Sequence, residues 1–442
     1  MITTINNKHN KLNFSNEREQ SQACLNSAEH EKNQGRKVLN VPNLRFKEFQ
    51  GEWTTSLLSD YLTENKERNK KGEFDKTDVL SVSGDYGIVN QIELLGRSFA
   101  GASVLPYHVV RHGNIVYTKS PLKEYPYGIV KANTDVDGIV STLYAVYNIK
   151  NNVDAQFIEY YFSSANRTNR YFKPIVRIGA KHDMKISNQE VLANKVTFPN
   201  LEEQTKIASL FRFLDERIAT QNKIIDKLQS LIKGMEDNLL NNPLWEKTYL
   251  RSFMQFFSTN SLSWEQLSYD EGEIRNLHYG LIHGFQTRGI NSASLPMIKN
   301  EAVPKQYTLC QVGDVAFADA SEDTGEIAKS VEFVDTIEGD TICGLHTIHG
   351  RDIKNRTVVG FKGFAFNSRY FHNQIKRLAQ GTKVFSITAN NLSSCYVYLP
   401  DLETQKAIVE LLKAYEAQLI VSRKTLKQYE KQKQYLLRQM FI

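Results

Sequence analysis

The sequence predicts an α+β chain in which two β-rich domains alternate with two long helices, the second half repeating the first. Three observations carry this. The phrase FPNLEEQTKIASL (198–210) returns as LPDLETQKAIVEL (399–411), an offset of 201 positions. Each copy closes an aromatic-rich stretch punctuated by glycine. Each copy also opens a run whose apolar residues recur at alternating steps of three and four, the spacing of one helix face.

Five segments follow in order. Residues 1–40 are rich in Asn, Gln, Ser, Glu and Lys and lack the apolar core of a signal peptide, so they read as a disordered polar tail. Residues 41–198 form the first β-rich domain, opened by Trp53. Residues 199–243 are the first long helix. Residues 244–398 form the second β-rich domain, opened by Trp245, and residues 399–442 the second helix. Local phrases match across the halves. VVRHGNIVYTK (109–119) resembles LCQVGDVAFAD (309–319), each a turn glycine followed by an apolar strand. RIGAKHDMKISNQEVL (177–192) resembles AQGTKVFSITANNL (379–392), each a glycine turn followed by Ile-Ser or Ile-Thr.

The helices carry the strongest pattern. The seam of the first reads Ile207, Phe211, Leu214, Ile218, Gln221, Ile225, Leu228. Shifted by 201 it reads Ile408, Leu412, Tyr415, Leu419, Ser422, Leu426, Tyr429. Both are narrow coiled-coil seams, and both carry a polar residue at the same place, Gln221 and Ser422. Acidic residues (Glu202, Glu203; Asp401, Glu403) favour the positive end of each helix dipole. Rods of this length span roughly 50 Å. A seam so narrow suits a partner helix, and the simplest partner is the other copy. Two unrelated amphipathic helices lying on their own domains are the alternative.

Bulk composition sets bounds. The 442 residues are 41% hydrophobic and 24% charged, with net charge +6, a mild basic bias that permits nucleic-acid binding without demanding it. No run of eighteen apolar residues occurs, so no membrane span is expected. Cys24, Cys310, Cys343 and Cys395 are scattered without CxxC spacing, which points to reduced thiols in a cytoplasmic protein.

A search for chemistry finds little. There is no phosphate-binding GxxxxGK[ST] loop, no methyl-donor glycine loop with its Pro-Pro-aromatic partner, and no nucleophile elbow. PDLETQK (400–406) superficially resembles a nuclease site, but its spacing is wrong, and its carboxylates read as helix N-terminal charges. His346 and His349, in GLHTIHG, face different ways on a strand or turn and have no Cys or carboxylate at ligand spacing, so no metal site is expected. His278 and His283 read the same way. No catalytic residue is assigned.

What recurs is basic and aromatic residues beside glycine turns. Residues 163–185 contain Arg167, Arg170, Arg177, Lys181, His182 and Lys185; residues 368–383 contain Arg369, Lys376, Arg377 and Lys383. Lys and Arg neutralise phosphates, and forked side chains read base edges. Gly179 and Gly381 would let backbone approach a partner closely. Lys119, Ser321 and His346 join them as candidate DNA contacts from the neighbouring phrases. For any one residue, a solvated helix face or a structural turn is the simpler reading; two clusters at matching places favour a paired binding surface.

The motif P-x-L-x-x-Q-x-x-I opening a long helix, repeated after two variable domains, resembles the specificity subunit of type I restriction-modification enzymes. The resemblance covers roughly residues 41–442, and VLSVSGDYGIVNQ (79–91), GIVSTLYAVY (138–147), IRNLHYGLIHG (274–284) and VGDVAFADASED (312–323) share in it. The second helix departs from it where Lys433 interrupts the seam and where ETQ replaces EEQ. The resemblance implies two target-recognition domains, each reading half of a split site in double-stranded DNA. It implies two helices packed as an antiparallel coiled coil about a pseudo-twofold, acting as a spacer. It also implies a non-catalytic chain that docks two modification subunits, which use S-adenosylmethionine, and restriction/translocase subunits, which use ATP and Mg²⁺. Two other readings remain open at this stage: a self-contained methyltransferase or nuclease with degenerate motifs, and a coiled-coil scaffold with two protein-binding domains.

Overall fold

The computed structural model describes residues 39–122, 124–178, 184–285, 288–335, 337 and 339–442. The chain divides into two compact units. One runs up to Glu216 and takes back Glu430–Ile442; the other is Arg217–Tyr429. The division falls inside both long helices, which run Leu201–Leu239 and Leu402–Gln439, a few residues shorter than the segments assigned to them by sequence. Among the described residues no helix is long and apolar enough to cross a membrane.

The first unit is built on a four-stranded antiparallel sheet in the order Leu62–Glu64, Tyr144–Ile149, Ile115–Thr118, Val130–Ala132. Its central strand, IVYT, is buried at every position, so it reads as an unbroken apolar run rather than an alternation. The helix Ala155–Phe162 covers the sheet with Phe157, Ile158 and Phe162. The chain's last turn closes the core: Phe441 lies 5.4 Å from the Phe157 ring and 5.8 Å from the Phe211 ring.

The second unit repeats the strand order: Met254–Phe257, Thr347–Asp352, Val315–Ala318, Ser330–Phe333, with Gly289–Ile290 added in parallel at the edge. A further sheet, Leu267–Ser268, Met297–Ile298, Arg275–Leu277, Thr341–Cys343, has no four-stranded counterpart among the described residues of the first unit. The matched phrases become matched turns. Gly113 and Gly313 have positive φ (83° and 91°), and their amides donate to the carbonyls of Asn133 and Phe333, each at 2.7 Å.

One matched pair of contacts has its polarity reversed. In the first unit Lys131, on a sheet strand, meets Glu159 of the covering helix at 3.1 Å, and Glu159 also accepts the Ala132 amide. In the second unit the strand carries Glu332 and the helix Phe361–Ala365 carries Lys362, 2.9 Å apart, with Glu332 accepting the Gly363 amide. The charges have changed places between strand and helix.

The helix-opening motif has a physical cause in each unit. Asn200 and Asp401 cap their helices, accepting the amides of Glu203 (2.9 Å) and Thr404 (2.8 Å). The motif glutamines are fully buried. Gln204 donates to Pro199 O and Asn152 O and accepts the Asp154 amide; Gln405 donates to Pro400 O and Arg356 O and accepts the Val358 amide. Each glutamine thus stitches the start of its helix to a loop distant in sequence, 152–154 in the first unit and 356–358 in the second. The EEQ/ETQ difference follows: buried Glu203 takes Arg45 in a two-bond ion pair at 2.7 Å, whereas Thr404 turns back to its own cap, Asp401.

Every seam residue is buried or half-buried. In the second unit Gln221 Nε2 donates to the Ser422 carbonyl at 3.2 Å, and Met235, Leu239 and Leu240 share one core with Ile408 and Leu412. In the first unit Leu214 shares a core with Leu436, Leu437 and Met440, and Lys433 pairs with Asp215. The interrupting lysine therefore has an acidic partner, which itself accepts the Tyr160 hydroxyl at 2.9 Å.

Candidate nucleic-acid interface

In the first unit the helix Ala165–Phe172 sends its residues two ways. Tyr171 and Phe172 are core residues, and a residue one turn earlier on the same face must also point inward. That residue is Arg167, only 8% exposed, and the expectation that it contacts DNA is corrected here. Its guanidinium donates to Tyr161 O and Leu437 O, both at 2.9 Å, and lies 4.7 Å over the Phe441 ring. Burial brings its pKa down to about 10. Arg170, three residues further on, is exposed.

Beyond this helix Arg177 and Lys185 are exposed and stand directly opposite one another across a two-residue antiparallel pair. Like charges facing across strands repel, so this pairing is destabilising until an anion screens it. Lys181, His182 and Gly179 lie outside the described residues. Lys119 is half-buried instead of displayed: Nζ donates to Asn188 Oδ1 at 2.5 Å, and burial pulls its pKa down.

In the second unit the helix Arg369–Leu378 is capped by Ser368 and buries Phe371 and Ile375, one turn apart. The 3.6-residue period then places Arg369, Lys376 and Arg377 on the exposed face. Gly381 follows at φ +131°, where a Cβ would sit 2.0 Å from Val384 O, so its own turn demands glycine rather than a partner's approach. The turn displays Lys383 and leads into Phe385–Ser386, which pairs with Ala320–Ser321 in the register Ser321↔Phe385. His346, at φ 55°, bonds Asp319 at 3.0 Å, and Asp319 O accepts the Ile387 amide. Ser321, His346 and Lys383 are thereby brought onto connected backbone, although they lie far apart in sequence.

The Ile-Ser and Ile-Thr phrases after these turns are capping boxes. Ser187 and Glu190 exchange side-chain-to-amide bonds (3.2 and 2.7 Å), as do Thr388 and Asn391 (3.2 and 3.3 Å), while Ile186 and Ile387 are buried. Each box anchors the end of its basic turn.

An open groove of about 820 Å³ lies in the second unit, with Arg369, His372 and Lys376 on one side and Lys233 and Arg423 on another. Sequence reasoning missed its floor. Arg288 bridges Glu236 and Glu416, at 3.1 and 3.3 Å, where burial raises the pKa of both carboxyls despite the cation between them. Three residues distant in sequence left no local signal of that meeting.

Residues 344–431 match the type I restriction modification DNA specificity domain. Two proteins of Methanocaldococcus jannaschii align at 27% identity. The putative type I restriction enzyme MjaX specificity subunit does so over 65% of this chain and 67% of its own length, and the type I restriction enzyme MjaVIII specificity subunit over 55% and 60%. The crystal structure of the type I restriction-modification S subunit from M. genitalium superposes with a TM-score of 0.52 at 13% identity, covering 91% of this chain and 99% of that one. A structure reported for assembly and conformational transition of the type I R-M system gives 0.52 at 14%, covering 88% and 97%. The class is therefore a mixed α/β chain with the fold of type I S subunits. More particularly, the chain is similar to type I restriction specificity subunits, and its residues 344–431 match their DNA specificity domain.

Proposed function

We propose that the chain is the sequence-specific DNA-recognition subunit of a type I restriction-modification complex. The observation that carries this reading is the position of the match: 344–431 contains the helix Arg369–Leu378 and its basic turn, so four exposed cations, Arg369, Lys376, Arg377 and Lys383, lie inside a DNA specificity domain. Each β-rich unit reads one half of a bipartite double-stranded target, through Arg170, Arg177, Lys181, His182 and Lys185 in the first and through Ser321, His346 and the four cations in the second. The long helices form an antiparallel coiled coil that sets the gap between the halves. The Gln221–Ser422 bond, the Asp215–Lys433 pair and the buried seams support that pairing. The shared strand order and the exchanged charges of Lys131–Glu159 and Glu332–Lys362 support a common origin for the two halves.

In this reading the chain catalyses nothing and acts in the cytoplasm on chromosomal DNA. Two modification subunits dock on the exposed helix faces and bring S-adenosylmethionine; restriction/translocase subunits bring ATP and Mg²⁺. The test is DNA binding by the chain assembled with its modification subunits. Log affinity should fall with log salt at about −0.9 per phosphate contact, and Arg369→Ala with Lys376→Ala should flatten that slope. Arg167→Ala should leave the slope alone and lower stability. A complex whose DNA binding is insensitive to salt, or to both exposed substitutions, overturns the proposal.

A further inference from the structure

Cys310, Cys343 and His349 come from three separate segments of the second unit and meet in its interior, where all three are buried. Cys343 ends the strand Thr341–Cys343 of the four-stranded sheet. His349 belongs to Thr347–Asp352 of the five-stranded sheet, and Cys310 lies just before the turn into Val315–Ala318. We infer that these three side chains hold a zinc ion, with its fourth position open to an adjoining small cavity.

Four features carry the inference. The sulfurs are 3.6 Å apart, and one ligand atom from each of the three residues lies within 4.8 Å of the others. Two thiolates at about 2.3 Å from a tetrahedral zinc stand about 3.8 Å from each other, so the observed gap needs almost no adjustment. Second, Nε2 of His349 is 2.7 Å from Asp314 Oδ2, and Asp314 is fixed in turn by Arg351 Nε and Nη2 at 2.8 and 2.7 Å. A carboxylate on one ring nitrogen is the usual support of a metal-binding histidine; here it would fix the ring and commit Nδ1 to the metal. Third, a cavity of about 40 Å³ is lined by Cys343 and His349 together with Ser258, Thr259 and Asn260, room for one water as fourth ligand. Fourth, the charges close. On binding, both thiols release their protons to solvent, and two thiolates with a neutral imidazole neutralise the divalent ion. Soft sulfur with imidazole selects zinc over magnesium or calcium.

The sequence expectation of no metal rested on His346 and His349 facing different ways and on the lack of a Cys or carboxylate at ligand spacing. The structure separates those two, since His346 is exposed and turned outward by its positive φ. The partners of His349 are cysteines with no spacing signature, brought in by sheet pairing. The ion would join two sheets at the strands flanking the turn Gly344–His346. It would thus hold His346, a candidate base or phosphate contact, at fixed height; that last link alone rests on the DNA-recognition reading.

The full chain, purified without chelator or added metal, should carry about one zinc by elemental analysis, as a single three-residue site requires. Replacement by Co²⁺ should give a thiolate-to-cobalt charge-transfer band and visible bands of tetrahedral intensity. Cys343→Ser and Cys310→Ser should lose metal and band; Cys395→Ser, elsewhere in the core, should keep both. The wild-type measurements need no variant, so a variant that fails to fold leaves them decisive. A folded chain that holds no zinc and takes up no Co²⁺, or that isolates with a Cys310–Cys343 disulfide, overturns the proposal. No DNA is involved, so that failure would leave the recognition reading untouched.

Discussion

Replacing Lys362 by Met strips Glu332 of its counter-ion in a place water does not reach: the glutamate is fully buried and the lysine 2% exposed. Glu332 would keep only the Gly363 amide at 2.8 Å. Breaking a buried pair from one side costs about 3–5 kcal/mol, because the remaining charge is left uncompensated. The double variant Lys362→Met with Glu332→Leu removes both charges and should recover most of that loss. In the first unit the equivalent side chains are 15% and 20% exposed, so Lys131→Met should cost less, between the ~0.2–1 kcal/mol of exposed pairs and the buried value. The sharper test is polarity. The second unit already places the acid on the strand, so Lys131→Glu combined with Glu159→Lys should be far more stable than Lys131→Glu alone. A chain of two units need not unfold in one step, so the assay is hydrogen exchange at the amides of Val130–Ala132 and Ser330–Phe333. If the reversed pair is no better protected than the single reversal, the two sites are not equivalent. If Lys362→Met and the double variant match wild type, the pair does not hold helix to strand.

Removing one heptad from each helix, 218–224 and 419–425, keeps the seam in step and shortens the rod by about 10 Å. Methylated-adenine mapping should then return the same half-site sequences with a smaller gap. Gln405→Ala leaves the Val358 amide and two carbonyls without their buried partner and should cost about 2–3 kcal/mol in urea unfolding of the second unit. Glu236 and Glu416 have carboxyl pKa values raised by burial, so their protonated forms favour the fold, and that contribution is lost as pH rises through the folded-state values. Glu416→Gln should flatten this decline in thermal melts from mildly acidic to neutral pH; an unchanged slope contradicts the assignment.

Long-range repetition was the most legible part of the sequence. The helices declared themselves through a sustained seam at alternating steps of three and four and a paired opening phrase, because local periodicity alone fixes which face is buried. The strands were less legible: several are only two or three residues long, and central ones such as IVYT and VAFA are buried on both faces, which erases alternation. At the candidate interface, residue type was readable and direction was not. Arg167 and Arg170 looked alike in sequence, yet Tyr171, one turn after Arg167, already marked the inward face. Ser321, His346 and Lys383 come onto connected backbone only because short strands pair across the unit, and Cys310, Cys343 and His349 meet for the same reason. The motif glutamines were noticed as a pattern, but their stitching bonds reach loops that sequence spacing cannot identify.

The central claim is that this chain sets where a modification complex acts. Methylated adenines should be mapped genome-wide in cells carrying the modification subunits, with and without the chain. The account predicts a split motif of two short sequences with a fixed gap, present only with the chain. A continuous motif, or none that depends on the chain, would contradict it.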